Sequence, residues 1–238
     1  MFCPQGGIVS PIKCIIFDCD GVLIDSEVIS ARVMIEELAH ENIEIDFVYF
    51  QENFLGRGFA KVSADIRANS GRAISDDFET RYRSKLLEAF AQELKPMPGI
   101  FEVLDALLLP CCVATSSSPT RVQNSLNITG LARYFGNNVF TASQVKNGKP
   151  APDLFLFAAA EMGVDPSNCL IIEDSETGLE AAVRAQMPVW HFTGGSHLKD
   201  YSPVSRSGAP QIPVFDNWAI FLDSLAQATS KRSNVRQN

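Results

Sequence analysis

Two aspartates separated by one residue, Asp18 and Asp20, follow a short apolar segment and precede Gly21. The segment, residues 14–17, is rich in β-branched and aromatic side chains and predicts a buried strand. Where the strand ends, both carboxylates can converge on one small volume, and their repulsion favours a cation between them. An oxygen site with room for a phosphate suits Mg²⁺, although Mn²⁺ could fill it too. The alternative is an Asx-type turn or a calcium loop.

A run of four hydroxyl residues, from Thr115 and Ser116 to Ser118, stands where a second apolar segment ends. Hydroxyl groups and free backbone N–H groups between a strand and a helix form a good cradle for phosphate oxygens. The alternative interpretation is an N-cap for the following helix, which the order Ser118, Pro119, Thr120 fits well.

Two adjacent carboxylates, Glu173 and Asp174, end a third apolar segment. Burying them without a compensating charge would cost several kcal/mol. A metal ion shared with Asp18 would supply that charge. The sequence therefore places acidic or hydroxyl groups at the ends of three predicted strands.

Lys149 lies in a loop between the second and third of these polar groups, and prolines follow it at positions 150 and 152. The prolines stiffen the loop, so the ammonium group could be held in place with little further loss of entropy. The alternative is an ordinary solvated lysine on the protein surface.

Strands and helices alternate along the second half of the chain. Apolar runs predict strands at 111–115, 139–141, 169–173 and 188–192, with an edge strand near 212–215. Helical patterns fall between and after them, at 100–108, 120–126, 153–162, 178–185 and 218–228. This alternation predicts an α/β fold, a doubly wound parallel sheet covered by helices on both faces. Ligands bind at the carboxyl ends of such strands.

The segment between Ser26 and Lys95 has a different character, because it contains no convincing strand. Helical patterns occur at 27–39, 46–53, 59–69 and 77–93. The sequence therefore predicts an inserted α-helical cap domain at 26–95 and a core built from residues 1–25 and 96–238.

Composition excludes several classes of protein. The net charge of −8 argues against a nucleic-acid or anionic-membrane partner, since both need clustered Lys and Arg. No segment approaches the roughly 20 apolar residues of a membrane span, and the first eleven residues lack the pattern of a secretory signal. Most of the six cysteines fall in or beside predicted core strands, which indicates buried, reduced thiols and a cytoplasmic protein.

Together these motifs resemble those of the haloacid dehalogenase-like (HAD) hydrolases. The family carries, in this order, an Asp-x-Asp-Gly motif, a Thr or Ser closing a strand, a Lys before Pro-x-Pro-Asp, and an acidic pair closing another strand. The chain matches them with Asp18 and Asp20, Thr115, Lys149, and Glu173 with Asp174. The resemblance spans residues 12–192 and implies a Rossmann-like core with a helical cap.

The resemblance also implies roles for these residues. Asp18 would be the nucleophile that forms an aspartyl-phosphate, and Asp20 would act as acid and base, which calls for a raised pKa. Mg²⁺ would be held by Asp18, the Asp20 backbone carbonyl, Asp174 and, directly or through water, Glu173. Thr115, the Ser116 N–H and Lys149 would hold the transferring oxygens.

The implied activity is a Mg²⁺-dependent phosphatase acting on a small phosphorylated metabolite, such as a sugar phosphate, in a monomer or weak homodimer. Arg57, between two glycines, is the candidate residue for a second anionic group of the substrate, and His197 is expected to be structural or exposed. One alternative is a phosphosugar mutase similar to β-phosphoglucomutase, although Ser30 stands where mutases carry a cap histidine. A metabolite sensor is another, but it would not need a proton donor at Asp20.

Overall fold

The computed structural model describes residues 11–69, 74–199 and 211–230. Within these residues six strands form one sheet in the order β3-β2-β1-β4-β5-β6, and every pairing is parallel. The strands are β1 (Cys14–Phe17), β2 (Cys111–Thr115), β3 (Val139–Thr141), β4 (Cys169–Glu173), β5 (Val189–Phe192) and β6 (Val214–Phe215). Successive strands run outward on one side of β1 and then on the other, which is the doubly wound arrangement.

Helices surround the sheet, and the described part of the insertion between β1 and β2 contains four helices joined by loops and no strand. The four helices of the insertion are α1 (Glu27–His40), α2 (Phe47–Asn53), α3 (Phe59–Asn69) and α4 (Phe78–Glu93). The others are α5 (Ile100–Ala106), α6 (Pro119–Ile128), α7 (Ala132–Phe135), α8 (Asp153–Glu161), α9 (Glu176–Arg184) and α10 (Phe221–Ser230). The predicted α/β sheet with an inserted helical cap is therefore confirmed, whereas the exact boundaries of the cap at 26–95 stay a prediction.

Capping side chains account for two helix ends that the sequence pattern misplaced. Helix α6 begins at Pro119 because the Ser118 hydroxyl accepts a hydrogen bond from the Arg121 N–H. Helix α9 begins at Glu176 because the Ser175 hydroxyl accepts one from the Gly178 N–H. At the end of the chain, the predicted helix at 218–228 is a 3₁₀ turn, Trp218–Ile220, followed by α10.

The two faces of the sheet bury separate apolar layers, because side chains alternate along each strand. On β1, Ile15 and Phe17 pack into the layer that continues into the cap, while Cys14 and Ile16 pack towards α8 and α9. The four cysteines 14, 19, 112 and 169 are buried, and the five within the described residues are free thiols; Cys3 lies outside them. No helix among the described residues is long and apolar enough to cross a membrane.

The two chain segments that connect core and cap lie side by side. The Asp25 N–H donates to the Lys95 carbonyl at 3.0 Å, and the Met97 N–H donates to the Leu23 carbonyl at 2.9 Å. Paired linkers of this kind let the cap move over the sheet as a unit about one narrow region.

Candidate active site

The predicted site residues converge at one edge of the sheet, where the order β2-β1-β4 places three strand ends side by side. Asp18 directly follows β1, Thr115 is the last residue of β2, and Glu173 is the last residue of β4. The chain changes its direction of winding between β1 and β4, and ligands bind doubly wound sheets at such a switch point. All three side chains are buried.

Lys149 is the cation at the centre of this site. Its Nζ donates to Asp18 Oδ1 at 2.5 Å and to Glu173 Oε1 at 2.7 Å, and its side chain is 1% exposed. Burial by itself lowers the pKa of Lys149, but the two carboxylates outweigh it and raise the pKa above its usual value. The interpretation of Lys149 as a solvated surface residue is therefore wrong.

Glu173 is held by donors on both of its oxygens. Oε1 accepts from Lys149, and Oε2 accepts from the N–H groups of Asp174 and Ser175, each at 2.7 Å, and from the Ser175 hydroxyl at 3.0 Å. Burial raises the pKa of Glu173, but Lys149 and these hydrogen bonds lower it overall. Glu173 therefore anchors Lys149, with few lone pairs left for a metal ion.

The acidic cluster fits a hard divalent cation. Carboxylate oxygens of Asp18, Glu173 and Asp174 lie within 4.8 Å of one another, and all three residues are buried. Oδ2 of Asp174 is buried with no hydrogen bond; His197 Nε2 lies 3.0 Å away but is not aligned for one. Burial raises the pKa of Asp18 and of Asp174 well above its usual value, and the neighbouring carboxylates add to the effect. The single positive charge of Lys149 cannot balance the negative charge of three carboxylates. A divalent cation that the carboxylate oxygens bind would supply the missing positive charge.

The carboxylate of Asp20 lies outside this cluster and is held by three side chains. It accepts hydrogen bonds from Ser26 Oγ at 2.6 Å, from Ser117 Oγ at 2.6 Å and from Arg121 Nη2 at 2.7 Å. Burial raises the pKa of Asp20, but the charge of Arg121 and the three hydrogen bonds outweigh it, so the pKa is lowered. The expected raised pKa is therefore wrong for Asp20 as the structure has it, because an arginine that sequence reasoning missed pairs with the carboxylate.

The two interpretations of the hydroxyl run apply to different residues. Ser118 caps α6, as described above, while Thr115 and Ser116 line the site. Thr115 Oγ1 accepts a hydrogen bond from the Ser117 N–H at 3.0 Å, which folds the loop back over the strand end. A helix cap and residues that line the site are thus compatible within one turn of chain.

A cavity of about 680 Å³ opens above these residues and is closed on its far side by the cap. The cap contacts the core at its mouth, where Thr177 Oγ1 donates to the Gly56 carbonyl at 3.2 Å. Arg57, the next residue, lines the cavity, where a residue that binds a second anionic group of a substrate would have to lie. Its guanidinium lies 3.3 Å from the Asp65 carboxylate. Gly56 has φ +70°, and an added Cβ would lie 2.5 Å from the Ser175 hydroxyl, so only glycine allows this approach.

Three charged or titratable residues near the cavity were not assigned to it from the sequence. Arg121 pairs with Asp20, and Glu27 lines the cavity while only 7% exposed. His197 is 4% exposed and lies against Asp174, so it is buried and not exposed, while a structural role for it stays a prediction. The only local signal was the position of Glu27 in the Asp-Ser-Glu sequence that begins α1.

Gly21 provides a test of the close packing around Asp174. It has φ +77°, and an added Cβ would lie 1.8 Å from Asp174 Oδ2. We expect Gly21→Ala to displace Asp174 and to lower kcat/KM by about 100-fold or more. The matched control is Gly163→Ala, since Gly163 also has positive φ (+65°) but no atom within 4 Å of an added Cβ. Both variants should unfold at a lower temperature than the wild type, but only Gly21→Ala should lose activity. Equal activities of the two variants would contradict the close packing of Gly21 against Asp174.

Glu27 predicts a specific dependence of stability on pH. Burial raises its pKa from 4.5 to about 8, so between these values the folded protein holds a proton that the unfolded chain has released. Stability therefore falls as pH rises through this window. Glu27→Gln removes the effect and should be more stable than the wild type by about 2 kcal/mol at pH 8, with the difference shrinking towards pH 5. Urea unfolding at several pH values measures it; a difference independent of pH would contradict it.

Comparisons with known proteins agree with the motifs. A family model described as haloacid dehalogenase-like hydrolase matches residues 12–186. The chain is 29% identical over 192 residues to 6-phosphogluconate phosphatase of Escherichia coli (strain K12), covering 80% of this chain and 87% of that protein. It is 31% identical over 179 residues to fructose-1-phosphate phosphatase YqaB of the same organism, covering 73% and 92%.

Solved structures show the same architecture. A HAD family hydrolase from Deinococcus radiodurans R1, with bound phosphate and sodium, superposes with a TM-score of 0.70 at 31% identity, covering 92% of this chain and 96% of that one. A HAD-like protein of unknown function from Agrobacterium tumefaciens str. C58 superposes with a TM-score of 0.73 at 30% identity, covering 91% and 98%.

Proposed function

Because the chain belongs to the haloacid dehalogenase-like hydrolases, we propose that it is a Mg²⁺-dependent phosphatase that hydrolyses a small phosphorylated metabolite, such as a sugar phosphate. The observation that carries the proposal is the buried cluster of Asp18, Lys149 and Asp174 beside a second carboxylate, Asp20, at one end of the cavity. Relatives named for their action on phosphogluconate and fructose 1-phosphate support the substrate class.

Asp18 is the proposed nucleophile. Lys149 holds Oδ1, and no hydrogen bond from any described residue occupies Oδ2. Attack by Oδ2 on phosphorus would form a P–O bond as the bond to the leaving oxygen breaks, which gives an aspartyl-phosphate. Water then attacks the same phosphorus, releases phosphate and restores the Asp18 carboxylate.

Asp20 is the proposed acid and base. Arg121 lowers the pKa of Asp20 and so favours its ionised form, which is the form needed to take a proton from the attacking water. To protonate the leaving oxygen, Asp20 must first gain a proton. A bound phosphate dianion favours that gain, because nearby negative charge raises the pKa of a carboxyl group.

Asp18 and Asp174 are the residues proposed to hold Mg²⁺, together with the backbone carbonyl of Asp20 and, directly or through water, Glu173. The ion would offset the repulsion between these carboxylates and the phosphate. Thr115, the Ser116 N–H and Lys149 are proposed to hold the transferring oxygens. Fixed donors around a phosphoryl group stabilise the charge that it carries in the transition state.

The surroundings of Ser30 favour hydrolysis over the phosphomutase alternative. The Ser30 hydroxyl donates to the Ser26 carbonyl at 2.9 Å and accepts from Arg121 at 3.1 Å. Its proton is engaged by the Ser26 carbonyl, and a hydroxyl group does not titrate near neutral pH, so it cannot shuttle protons as a histidine there could. The sensor alternative leaves unexplained why a second carboxylate is aimed into the cavity. Cytoplasmic location, a monomer or weak homodimer, and the absence of nucleic-acid and membrane partners stay predictions.

The test is release of inorganic phosphate from p-nitrophenyl phosphate and from a panel of sugar phosphates, with Mg²⁺ and with a chelator. We expect release that requires the metal ion, with the panel ranking the substrates. Transfer to a sugar phosphate that outpaces release to water, with a requirement for a sugar bisphosphate, would establish the mutase instead. A folded protein that hydrolyses none of these esters would contradict both.

A further inference from the structure

Glu27 is a buried carboxyl group that has no hydrogen-bond or ion-pair partner in the part of the chain that the structure describes. It is the first residue of α1, it is 7% exposed, and it lines the cavity. No hydrogen bond or ion pair joins its side chain to any residue in 11–69, 74–199 or 211–230. Buried polar groups are nearly always hydrogen-bonded. A buried carboxyl group that faces the cavity without a partner among the described residues therefore indicates that a ligand supplies the hydrogen bond.

The position of Glu27 indicates which part of the ligand it meets. The preceding residue, Ser26, donates its hydroxyl to Asp20, and Ser30, one turn further along α1, accepts from the arginine that pairs with Asp20. Glu27 thus belongs to the same turn of helix as two residues that surround Asp20. Since Asp20 is the proposed proton donor to the leaving oxygen, Glu27 lies on the side of the cavity where the alcohol half of the ester must sit.

The charges at this place restrict the chemistry of the group that binds. Asp20 and Asp174 act on Glu27 as negative neighbours, and Arg121 and His197 act as positive ones. Arg121 is already paired with Asp20, and burial lowers the pKa of His197, which favours its neutral form. A second anionic group of the substrate would face repulsion here, and an alkyl group would leave the carboxyl group unpaired. A hydroxyl group both donates and accepts, so it can bond to the carboxyl group in either protonation state.

We propose that Glu27 determines specificity by binding a hydroxyl group of the substrate, on a carbon close to the phosphate ester. The inference rests on the proposed phosphatase function and adds to it: the site selects polyol and sugar phosphates over esters of simple alcohols. Sites built to bond a substrate hydroxyl discriminate strongly against analogues that lack it, because the protein group is then left unpaired.

The experiment compares kcat/KM for three kinds of ester in the wild type, Glu27→Gln and Glu27→Leu. The esters are the best sugar phosphate of the panel, n-butyl phosphate and p-nitrophenyl phosphate. Butyl phosphate has no hydroxyl group but needs its leaving oxygen protonated, as a sugar phosphate does. The matched control is Glu79→Gln, because Glu79 also lines the cavity but is paired with Arg83.

We expect Glu27→Leu to lose about 10- to 100-fold more activity with the sugar phosphate than with either other ester. Glu27→Gln should lose less, since an amide still bonds a hydroxyl group, and Glu79→Gln should keep the wild-type ratios. Equal losses with all three esters would overturn the inference. So would equal losses with the sugar phosphate and butyl phosphate but not with p-nitrophenyl phosphate, because that pattern would make Glu27 a proton donor to the leaving oxygen. Wild-type protein that hydrolyses only p-nitrophenyl phosphate would also overturn it while leaving the phosphatase chemistry standing. No activity with any ester would contradict the proposed function itself.

Discussion

Asp18→Asn is expected to abolish phosphate release, with a fall in kcat of about four orders of magnitude or more. The amide has nearly the shape of the carboxylate but cannot attack phosphorus. Folding should survive, because Lys149 keeps its ion pair with Glu173 and a buried negative charge is removed from a crowded cluster. The measurement is steady-state phosphate release beside thermal unfolding.

The control for Asp18→Asn is Asp165→Asn, an aspartate in a surface turn, whose side chain accepts from the Ser167 N–H and hydroxyl. That variant should keep wild-type kcat. A folded Asp18→Asn protein that retains more than about 1% of the wild-type rate would show that another group attacks phosphorus.

Lys149→Met is expected to have the second largest effect, and it should reduce both activity and stability. Removing the ammonium group leaves Asp18 and Glu173 buried without their cation, which costs about 3–5 kcal/mol when one partner of a buried pair is lost. It also removes a donor from the transferring phosphoryl group, so kcat should fall by about 10³-fold. Methionine fills nearly the same volume, so the change isolates the charge.

A double variant separates the two effects of Lys149. In Lys149→Met combined with Glu173→Gln, one unpaired buried charge is gone, and we expect much of the lost stability to return. Activity should not return, since the donor to the phosphoryl group is still missing. Recovery of activity together with stability would show that Lys149 only supports the fold. Urea unfolding and phosphate release on the same preparations decide between these outcomes.

The core of the site could be predicted from the sequence because strand ends determine it. In a parallel sheet, a side chain that follows an apolar strand must lie at the carboxyl edge, so Asp18, Thr115 and Glu173 had to share one edge once the strands were assigned. That they are also neighbours depends on the strand order β2-β1-β4, which the structure supplies. Lys149 was predictable only through the family resemblance, since a lysine in a loop carries no signal of burial by itself. Helix ends were less predictable because single capping serines, such as Ser175, set them.

The residues that sequence reasoning missed depend on how the cap and the core pack together. Arg121 is on a helix that follows β2, and an arginine in a first helical turn resembles a surface residue. Its guanidinium reaches Asp20 because it passes over the Phe90 ring of α4, with 5.2 Å from Cζ to the ring centroid. Likewise, Glu27 is on the first helix of the cap, but its charged or titratable neighbours Asp20, Arg121, His197 and Asp174 all belong to the core. No local sequence pattern predicts such contacts between segments that lie far apart in the chain.

The decisive measurement is the mass of the protein after acid quench during turnover of p-nitrophenyl phosphate with Mg²⁺. Acid stops hydrolysis and preserves an acyl phosphate long enough for mass spectrometry of the digested protein. If Asp18 is the nucleophile, the peptide that contains it should carry one phosphoryl group, and Asp18→Asn should carry none. Phosphate release by an enzyme that never carries the group, or that carries it on another residue, would contradict the mechanism.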